Sequence, residues 1–361
     1  MVFYLKYRPQ KFDELDIKIA RERLTNIFSS GKFPHAFLFC GPRGAGKTSA
    51  ARIVAKVINC EKRKDFEPCN QCESCKATTS GRHLDVFEID AASNRGIDEI
   101  RDLRQKIKLS PSSGKYKVYI IDEVHMLTNE AFNALLKTLE EPPKHALFIL
   151  ATTRADKLPE TIISRCLRID FKKATEEETI RSLKRIVKGE GLEVDDEILK
   201  FITQESDGSF REAAKILEEA SLLKKITLEG VKKILGQDKD FNQNSFLEWL
   251  VKKDAKKALE WLIDAGEKGV NWQVLTKNIL NQLHDLLMNK FSVGNQETEK
   301  LRNKKIAKLR VEELKELIEI FSKAHQELRM TAIPSLPLEL AVVEWCEKEN
   351  QKLNIKNQSY K

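Results

Sequence analysis

The sequence predicts an α/β protein: a doubly wound parallel sheet followed by purely helical segments. Three observations carry this expectation. Between Ala36 and Phe171, short apolar segments alternate with stretches long enough for crossover helices. Most of those segments are too uniformly apolar to have a wet face, as expected of parallel strands covered on both sides. After Phe171 the strand signal stops and helical periodicity takes over.

In chain order, Ala36–Cys40, Val86–Ile89, Val118–Ile121, Ala146–Leu150 and Leu167–Ile169 read as strands. Thr175-Glu176-Glu177-Glu178 has capping-box spacing and opens a run of short helices ending near Leu235. Gly236-Gln237-Asp238-Lys239-Asp240 is polar and reads as a linker. From Phe241 the chain is helical again, with Trp249, Trp261, Trp272 and Trp345 as expected bundle anchors. Ser292–Glu299 reads as a polar loop, Pro334 and Pro337 break the chain before a last helix, and Gln351–Lys361 reads as a frayed tail. The expected division is 1–171 for the α/β core, 172–236 for a small helical domain, 241–350 for an all-helical domain and 351–361 for the tail.

Length and composition set the outer bounds. The chain has 361 residues, enough for two or three domains. With 41% hydrophobic residues it can build ordinary packed cores, which excludes a disordered chain or a disulfide-knotted miniprotein. No apolar run approaches the ~18 residues of a membrane span. The opening residues lack a signal-peptide core, so a cytoplasmic protein with no membrane partner is expected. The 63 Lys+Arg against 55 Asp+Glu give a net charge of +8, which is consistent with a nucleic-acid partner without establishing one.

The chemistry begins at Gly41-Pro42-Arg43-Gly44-Ala45-Gly46-Lys47-Thr48, followed by Ser49, a full G-x-x-x-x-G-K-[ST] loop between a strand and a helix. Glycines let backbone N–H groups turn toward phosphate oxygens, and the helix N-terminus adds partial positive charge. Lys47 is placed to reach the β- and γ-phosphates, and Thr48 to hold Mg²⁺. Val118–Ile121 ends in Asp122 and Glu123, one acid for the metal and one to polarise a water. Together they predict a Mg²⁺-dependent NTPase. Cys60, Cys69, Cys72 and Cys75, spaced C-x8-C-x2-C-x2-C, predict a closed tetrahedral Zn²⁺ site, with an iron–sulfur cluster as the rival. Cys40, Cys166 and Cys346 read as packing residues.

These residues resemble the gamma/tau family of bacterial DNA polymerase III, the ATPases of the sliding-clamp loader. The resemblance runs from Tyr7-Arg8-Pro9 to Leu235-Gly236. It is most specific at Ile121-Asp122-Glu123-Val124-His125-Met126-Leu127, Phe132–Pro143 and Ser164-Arg165-Cys166. It implies an AAA+ ATP-binding core with a zinc insertion at about 60–75, a helical lid, and a collar that oligomerises. It also implies ATP, Mg²⁺ and Zn²⁺ as cofactors. By the same resemblance, Thr153 looks like the sensor of the γ-phosphate, Arg211 like the lid arginine on ATP, and Arg165 like an arginine finger acting on a neighbouring subunit's ATP. Tyr7, Arg8 and Pro9 look like the adenine-pocket segment. The implied partners are delta, delta prime and further copies of the chain, the sliding clamp, and primer–template DNA.

Two departures stand out. Where the family shows Val-Gly-Gln, this chain has Leu15-Asp16-Ile17-Lys18-Ile19, which leaves the adenine-side loop open. The chain also ends soon after the collar region, so tail contacts to helicase and polymerase are not expected. The collar matches chiefly at Leu328-Arg329-Met330 and Leu336–Ala341.

Around Ile97–Lys108, Ile97, Ile100 and Ile107 share one helical face, while Arg101, Arg104 and Lys108 follow another. In a second helix Phe132, Leu135, Leu136 and Leu139 form the apolar face, and Asn133 and Lys137 point away. The resemblance assigns Arg95, Arg101 and Lys137 to DNA phosphates; a merely solvated face is the alternative. A different AAA+ motor, or a scaffold with structural nucleotide, are the competing functional readings.

Overall fold

The structure is a computed structural model describing residues 2–93, 105–235, 243–291, 309–328 and 330–358, with the side chains of 243–244 and 348–358 left aside. The Gly236–Asp240 linker, the Ser292–Glu299 loop, Arg95, Arg101, Arg104 and Arg329 lie outside the described residues. The chain divides into two compact units, Met1–Leu228 and Glu229–Lys361. The core–lid break expected near Phe171 falls inside the first unit.

In the first unit, β1 (Ala36–Cys40), β2 (Val86–Asp90), β3 (Lys117–Asp122), β4 (Ala146–Thr152) and β5 (Leu167–Asp170) form one sheet in the order β2-β3-β4-β1-β5. Every pairing is parallel. The uniform hydrophobicity of β1, β3 and β4 follows from two buried faces. Phe37, Phe39, Val118, Ile120, Leu147 and Ile149 pack into one core layer. Leu38, Tyr119, Ile121, Phe148 and Leu150 pack into the other.

The helices of this unit are α1 (Phe3–Lys6), α2 (Lys18–Ser29), α3 (Lys47–Asn59), α4 (Glu73–Thr79), α5 (Asn129–Glu140) and α6 (Glu160–Ile163), then α7 (Glu176–Glu190), α8 (Asp196–Glu205) and α9 (Phe210–Ala220). Helices α2 and α3 cover the first layer, while α5 covers the second with Phe132, Leu135 and Leu139. Leu136 is only half-buried, and Asn133 and Lys137 are exposed. Thr175 and Glu178 form the expected capping box at the start of α7.

Helix α10 (Leu228–Ile234) spans the boundary between the units. The second unit holds α11 (Gln243–Val251), α12 (Ala255–Glu267), α13 (Trp272–Lys290), α14 (Val311–Glu327) and α15 (Leu336–Gln358). Phe246, Leu262, Leu283, Phe321 and Trp345 form its core. Trp261 and Trp345 are buried, whereas Trp249 and Trp272 are half-buried against that core. The Trp345 indole N–H donates to the Leu250 carbonyl at 2.8 Å, joining α15 to α11. One expectation fails here: Gln351–Gln358 is not a frayed tail but continues α15. The stretch contains neither Pro nor Gly, so nothing in it stops the helix. Among the described residues, no helix is long and apolar enough to cross a membrane.

Candidate nucleotide site and cysteine cluster

The parallel sheet sends the ends of its strands to one edge, and the strand register decides which residues meet there. Cys40 lies opposite Thr152, and Asp90 opposite Asp122. The loop after β1, the acids after β3 and the threonines after β4 therefore converge where ligands of open α/β sheets bind. A cleft of about 860 Å³ opens at this edge.

Gly46, at φ +91°, turns the chain into α3, a conformation that favours glycine at this junction. The loop lines the cleft from Arg43 to Ser49, including Gly44, Ala45, Gly46, Lys47 and Thr48. Gly41 does not line it: a Cβ there would stand 2.0 Å from the Phe171 carbonyl oxygen, so close packing against Phe171 requires glycine. The Lys47 ammonium donates to the carbonyls of Gly41 at 2.8 Å and Pro42 at 2.9 Å. Burial lowers its pKa, against the opposing charges of Glu123 and Asp122.

The Thr48 hydroxyl donates to Asp122 Oδ2 at 2.8 Å, bringing together the two groups read as metal-holding. Asp122 Oδ1 accepts the Glu123 N–H at 3.0 Å. Glu123, at φ +47°, turns its carboxylate toward β4. There Oε2 accepts the Thr153 hydroxyl at 2.9 Å and the Thr153 N–H at 3.2 Å. His125 Nδ1 stands 3.4 Å from the same oxygen and shares a 2.9 Å hydrogen bond with Thr152. Thr153 thus lies in the cleft, while Thr152 is buried behind it.

The opposite wall comes from the N-terminal segment and from α7 and α9. Tyr7, Arg8 and Pro9 line the cleft, joined by Phe3, Tyr4, Leu15, Asp16 and Ile17. Arg211 lines it from α9, its guanidinium 4.5 Å above the Tyr4 ring and donating to the Tyr4 hydroxyl at 3.1 Å. Burial is the main cause lowering the Arg8 pKa, with Arg52 adding to it.

Arg165 and Lys137 lie outside this cleft, whereas Asp16 lines it. Arg165 is away from the cleft, donating to Glu140 Oε1 at 2.6 Å and to the Thr161 carbonyl at 2.8 Å. Lys137 is exposed on α5, also outside it. Asp16, in the atypical stretch, is buried and takes an ion pair from Arg185 of α7. Sequence reasoning missed Asp90, although it ends its strand in an acid just as Asp122 does.

Cys60, Cys69, Cys72 and Cys75 offer sulfur atoms that all lie within 4.8 Å of one another. Cys60 Sγ and Cys72 Sγ are 4.0 Å apart, against about 3.8 Å expected across a tetrahedral Zn–S₄ centre. Backbone N–H groups of Gln71 and Cys72 donate to Cys69 Sγ and hold that thiol at about 6. Burial pushes the Cys75 thiol up. The donor set and spacing fit a closed four-thiolate metal site.

This sheet order, phosphate loop and pair of acids define a P-loop nucleotide-binding protein. Residues 18–175 match the family described as DNA polymerase III, delta subunit, and residues 226–356 match DNA polymerase III subunits gamma and tau domain III. The chain is 42% identical to DNA polymerase III subunit tau of Bacillus subtilis, over 96% of this chain and 63% of that protein. It is 42% identical to DNA polymerase III subunit gamma of Buchnera aphidicola (subsp. Schizaphis graminum), over 78% of this chain and 79% of that one. The chain belongs to the DNA polymerase III gamma/tau family. Among solved structures, the RuvB Holliday junction branch migration motor of Thermotoga maritima aligns at TM-score 0.48 and 18% identity, over 73% of this chain and 86% of that one. The DNA clamp loader delta protein of Bacillus subtilis aligns at TM-score 0.37 and 16% identity, over 91% of this chain and 99% of that one.

Proposed function

We propose that this chain is the ATPase subunit of a cytoplasmic replicative sliding-clamp loader, acting within a DNA polymerase III holoenzyme. The observation that carries the proposal is the convergence of Lys47, the Thr48–Asp122 contact and the Glu123–Thr153 contact at one cleft in a gamma/tau family chain.

Lys47 and the loop N–H groups bind the β- and γ-phosphates of ATP. Thr48 and Asp122 hold Mg²⁺, which when bound neutralises phosphate charge. Glu123 orients the water that attacks the γ-phosphorus and accepts its proton as the bond to the β,γ-bridging oxygen breaks and ADP leaves, while Thr153 fixes that carboxylate. Arg211 closes over the nucleotide from the lid, and Tyr7, Arg8 and Pro9 enclose the adenine. Arg165 points its guanidinium at ATP held by an adjacent subunit, so turnover depends on assembly.

The four cysteines hold a structural Zn²⁺. Residues 1–171 form the core, 172–236 the lid, and 241–350 the collar through which copies of the chain, delta and delta prime associate. Arg95, Arg101 and Lys137 contact primer–template phosphates, supplying affinity without sequence specificity. ATP binding orders the ring and holds the clamp open; primed DNA completes the composite sites, and hydrolysis releases the clamp.

The test is ATP hydrolysis by the chain assembled with delta and delta prime, with and without clamp and primed DNA. Clamp and DNA should stimulate the rate. Arg165→Ala should keep nucleotide binding but lose about 10³-fold in turnover in the assembly. Absence of hydrolysis would support the scaffold reading instead, and loss of ATP binding by the isolated Arg165→Ala chain would place Arg165 at its own site.

A further inference from the structure

The N-terminal segment, read above as enclosing the adenine, touches the cleft twice. Tyr7-Arg8-Pro9 and Leu15-Asp16-Ile17 line the cleft, whereas Gln10–Glu14 between them do not. Those intervening residues lie against the cysteine module. Glu67 Oε2 accepts the Phe12 N–H at 2.9 Å, and Oε1 accepts the Asp13 N–H at 3.0 Å. A carboxylate receiving two backbone N–H groups fixes the local path of that segment. Asn70 adds a 3.3 Å bond from Nδ2 to the Gln10 carbonyl. Lys56 of α3 is 1% exposed and joins all three parts. Its ammonium donates to the Gln10 side chain, to Asn70 Oδ1 at 2.8 Å and to Thr79 Oγ1 at 3.3 Å.

Glu67 and Asn70 flank Cys69, and the loop from Cys60 to Cys69 is closed at both ends by residues of the cysteine cluster. Inside it, Lys64 and Glu67 form a short antiparallel bridge. A metal ion held by the four thiolates would clamp both ends of this loop; without one, its closure rests on the Lys64–Glu67 bridge, the Asn70 contacts and weak sulfur contacts. Metal occupancy would therefore add to what positions the Glu67 carboxylate and, through it, Phe12 and Asp13.

We propose that the cysteine module buttresses the base-side wall of the nucleotide cleft, with Glu67 the positioning residue that carries metal occupancy to the segment Tyr7–Ile17. The proposal rests on reading the cleft as an ATP site and the cluster as a metal site. It deepens that reading by giving the metal a consequence for nucleotide affinity. Its signature is selective: the segment borders the base side, while the phosphate loop is built by β1 and α3. Loss of the buttress weakens nucleotide far more than it weakens a bare polyphosphate.

The experiment uses the intact chain, equilibrium titration with the fluorescent nucleotide mant-ADP, competition by inorganic pyrophosphate, and metal analysis of every sample. Glu67→Ala should bind mant-ADP about tenfold more weakly, keep its metal, and hold pyrophosphate within about twofold of wild type. Glu67→Gln, which still offers one acceptor oxygen, should recover part of the loss. Chelated wild type should show a similar selective loss, and chelation of Glu67→Ala should add less than about twofold. The proposal is overturned if chelated wild type keeps its mant-ADP affinity, if metal-loaded Glu67→Ala matches wild type, or if pyrophosphate and mant-ADP weaken in parallel. Should Glu67→Ala not fold, the Glu67→Gln and chelation arms decide by the same criteria. A wild-type chain that binds neither probe would instead overturn the nucleotide reading itself.

Discussion

Replacing Glu123 by Gln separates chemistry from binding at this site. Glu123 Oε2 accepts the Thr153 hydroxyl at 2.9 Å and its N–H at 3.2 Å, and a glutamine carbonyl oxygen can accept both. The side chain should therefore keep its place while losing the charge that orients and deprotonates water. A positioned general base contributes about 10²–10⁴-fold, or ~3–5 kcal/mol of barrier. Nucleotide binding should be retained, since the remaining acceptor leaves no donor unpaired and a like charge is removed from beside the phosphates. Thr153→Val gives an intermediate case. It removes the hydroxyl donor but keeps the backbone one, so it should cost about tenfold in turnover. The assay is single-turnover hydrolysis in the assembled complex with clamp and primed DNA, beside mant-ATP binding to each variant. Hydrolysis by Glu123→Gln within about threefold of wild type would refute the assignment of Glu123 as the water-orienting acid.

Three further perturbations test other parts of the molecule. Asp85 is fully buried and accepts backbone N–H groups from Ser112, Ser113 and Gly114 at 2.7–2.8 Å. Asp85→Ala should cost about 3 kcal/mol and lower the melting temperature by roughly 6–12 °C, whereas a change within about 2 °C would contradict the role. Burial pushes the Asp85 carboxyl up, but the donors from Ser112, Gly114 and Ser113 outweigh it and hold its pKa below 3.8. Because the folded pKa is depressed, its stabilisation is present above the unfolded value and lost as pH falls through the folded one; a melting series from neutral pH to below about 4 should show this loss in wild type and not in the variant. Cys72→Ser should leave less than one equivalent of zinc by metal analysis; a full complement would remove Cys72 from the ligand set. Lys137→Ala in the assembled loader should weaken primed-DNA binding and reduce the slope of log affinity against log salt by about 0.9, and an unchanged slope would return Lys137 to the solvated face.

The sheet was legible because both faces of each central strand are buried, so local hydrophobicity alone marks β1, β3 and β4 to within a residue or two. The phosphate loop was legible because its chemistry is contiguous in sequence, and the cysteine cluster because its spacing is. What sequence could not convey are contacts between distant residues whose types are individually ordinary. Asp16 is a short acidic residue in an unfamiliar stretch, and only the fold pairs it with Arg185. Glu67 reads as one more surface acid of a charged loop until Phe12 and Asp13 arrive to share its carboxylate. The end of α15 failed for the opposite reason: a polar composition resembles a tail, yet nothing in Gln351–Gln358 forbids helix.

The arrangement of charge in the cleft also explains why its acids and cations cannot be treated separately. Asp90 lies directly opposite Asp122 in register, and Glu123 follows Asp122, so three carboxylates crowd the ends of two adjacent strands. Arg43 and Lys47 stand on the loop and Arg211 on α9. A polyphosphate drawn to the loop must also face those carboxylates, and like charges a few ångströms apart repel by several kcal/mol at an effective dielectric of about 20. A divalent cation held by Asp122 and Thr48, which already meet at 2.8 Å, would offset that repulsion. The demand for a metal counterion therefore arises from the placement of the strand-end acids as much as from the substrate. Glu123 differs from Asp122 in that its Oε2 is engaged by Thr153 and not by Thr48.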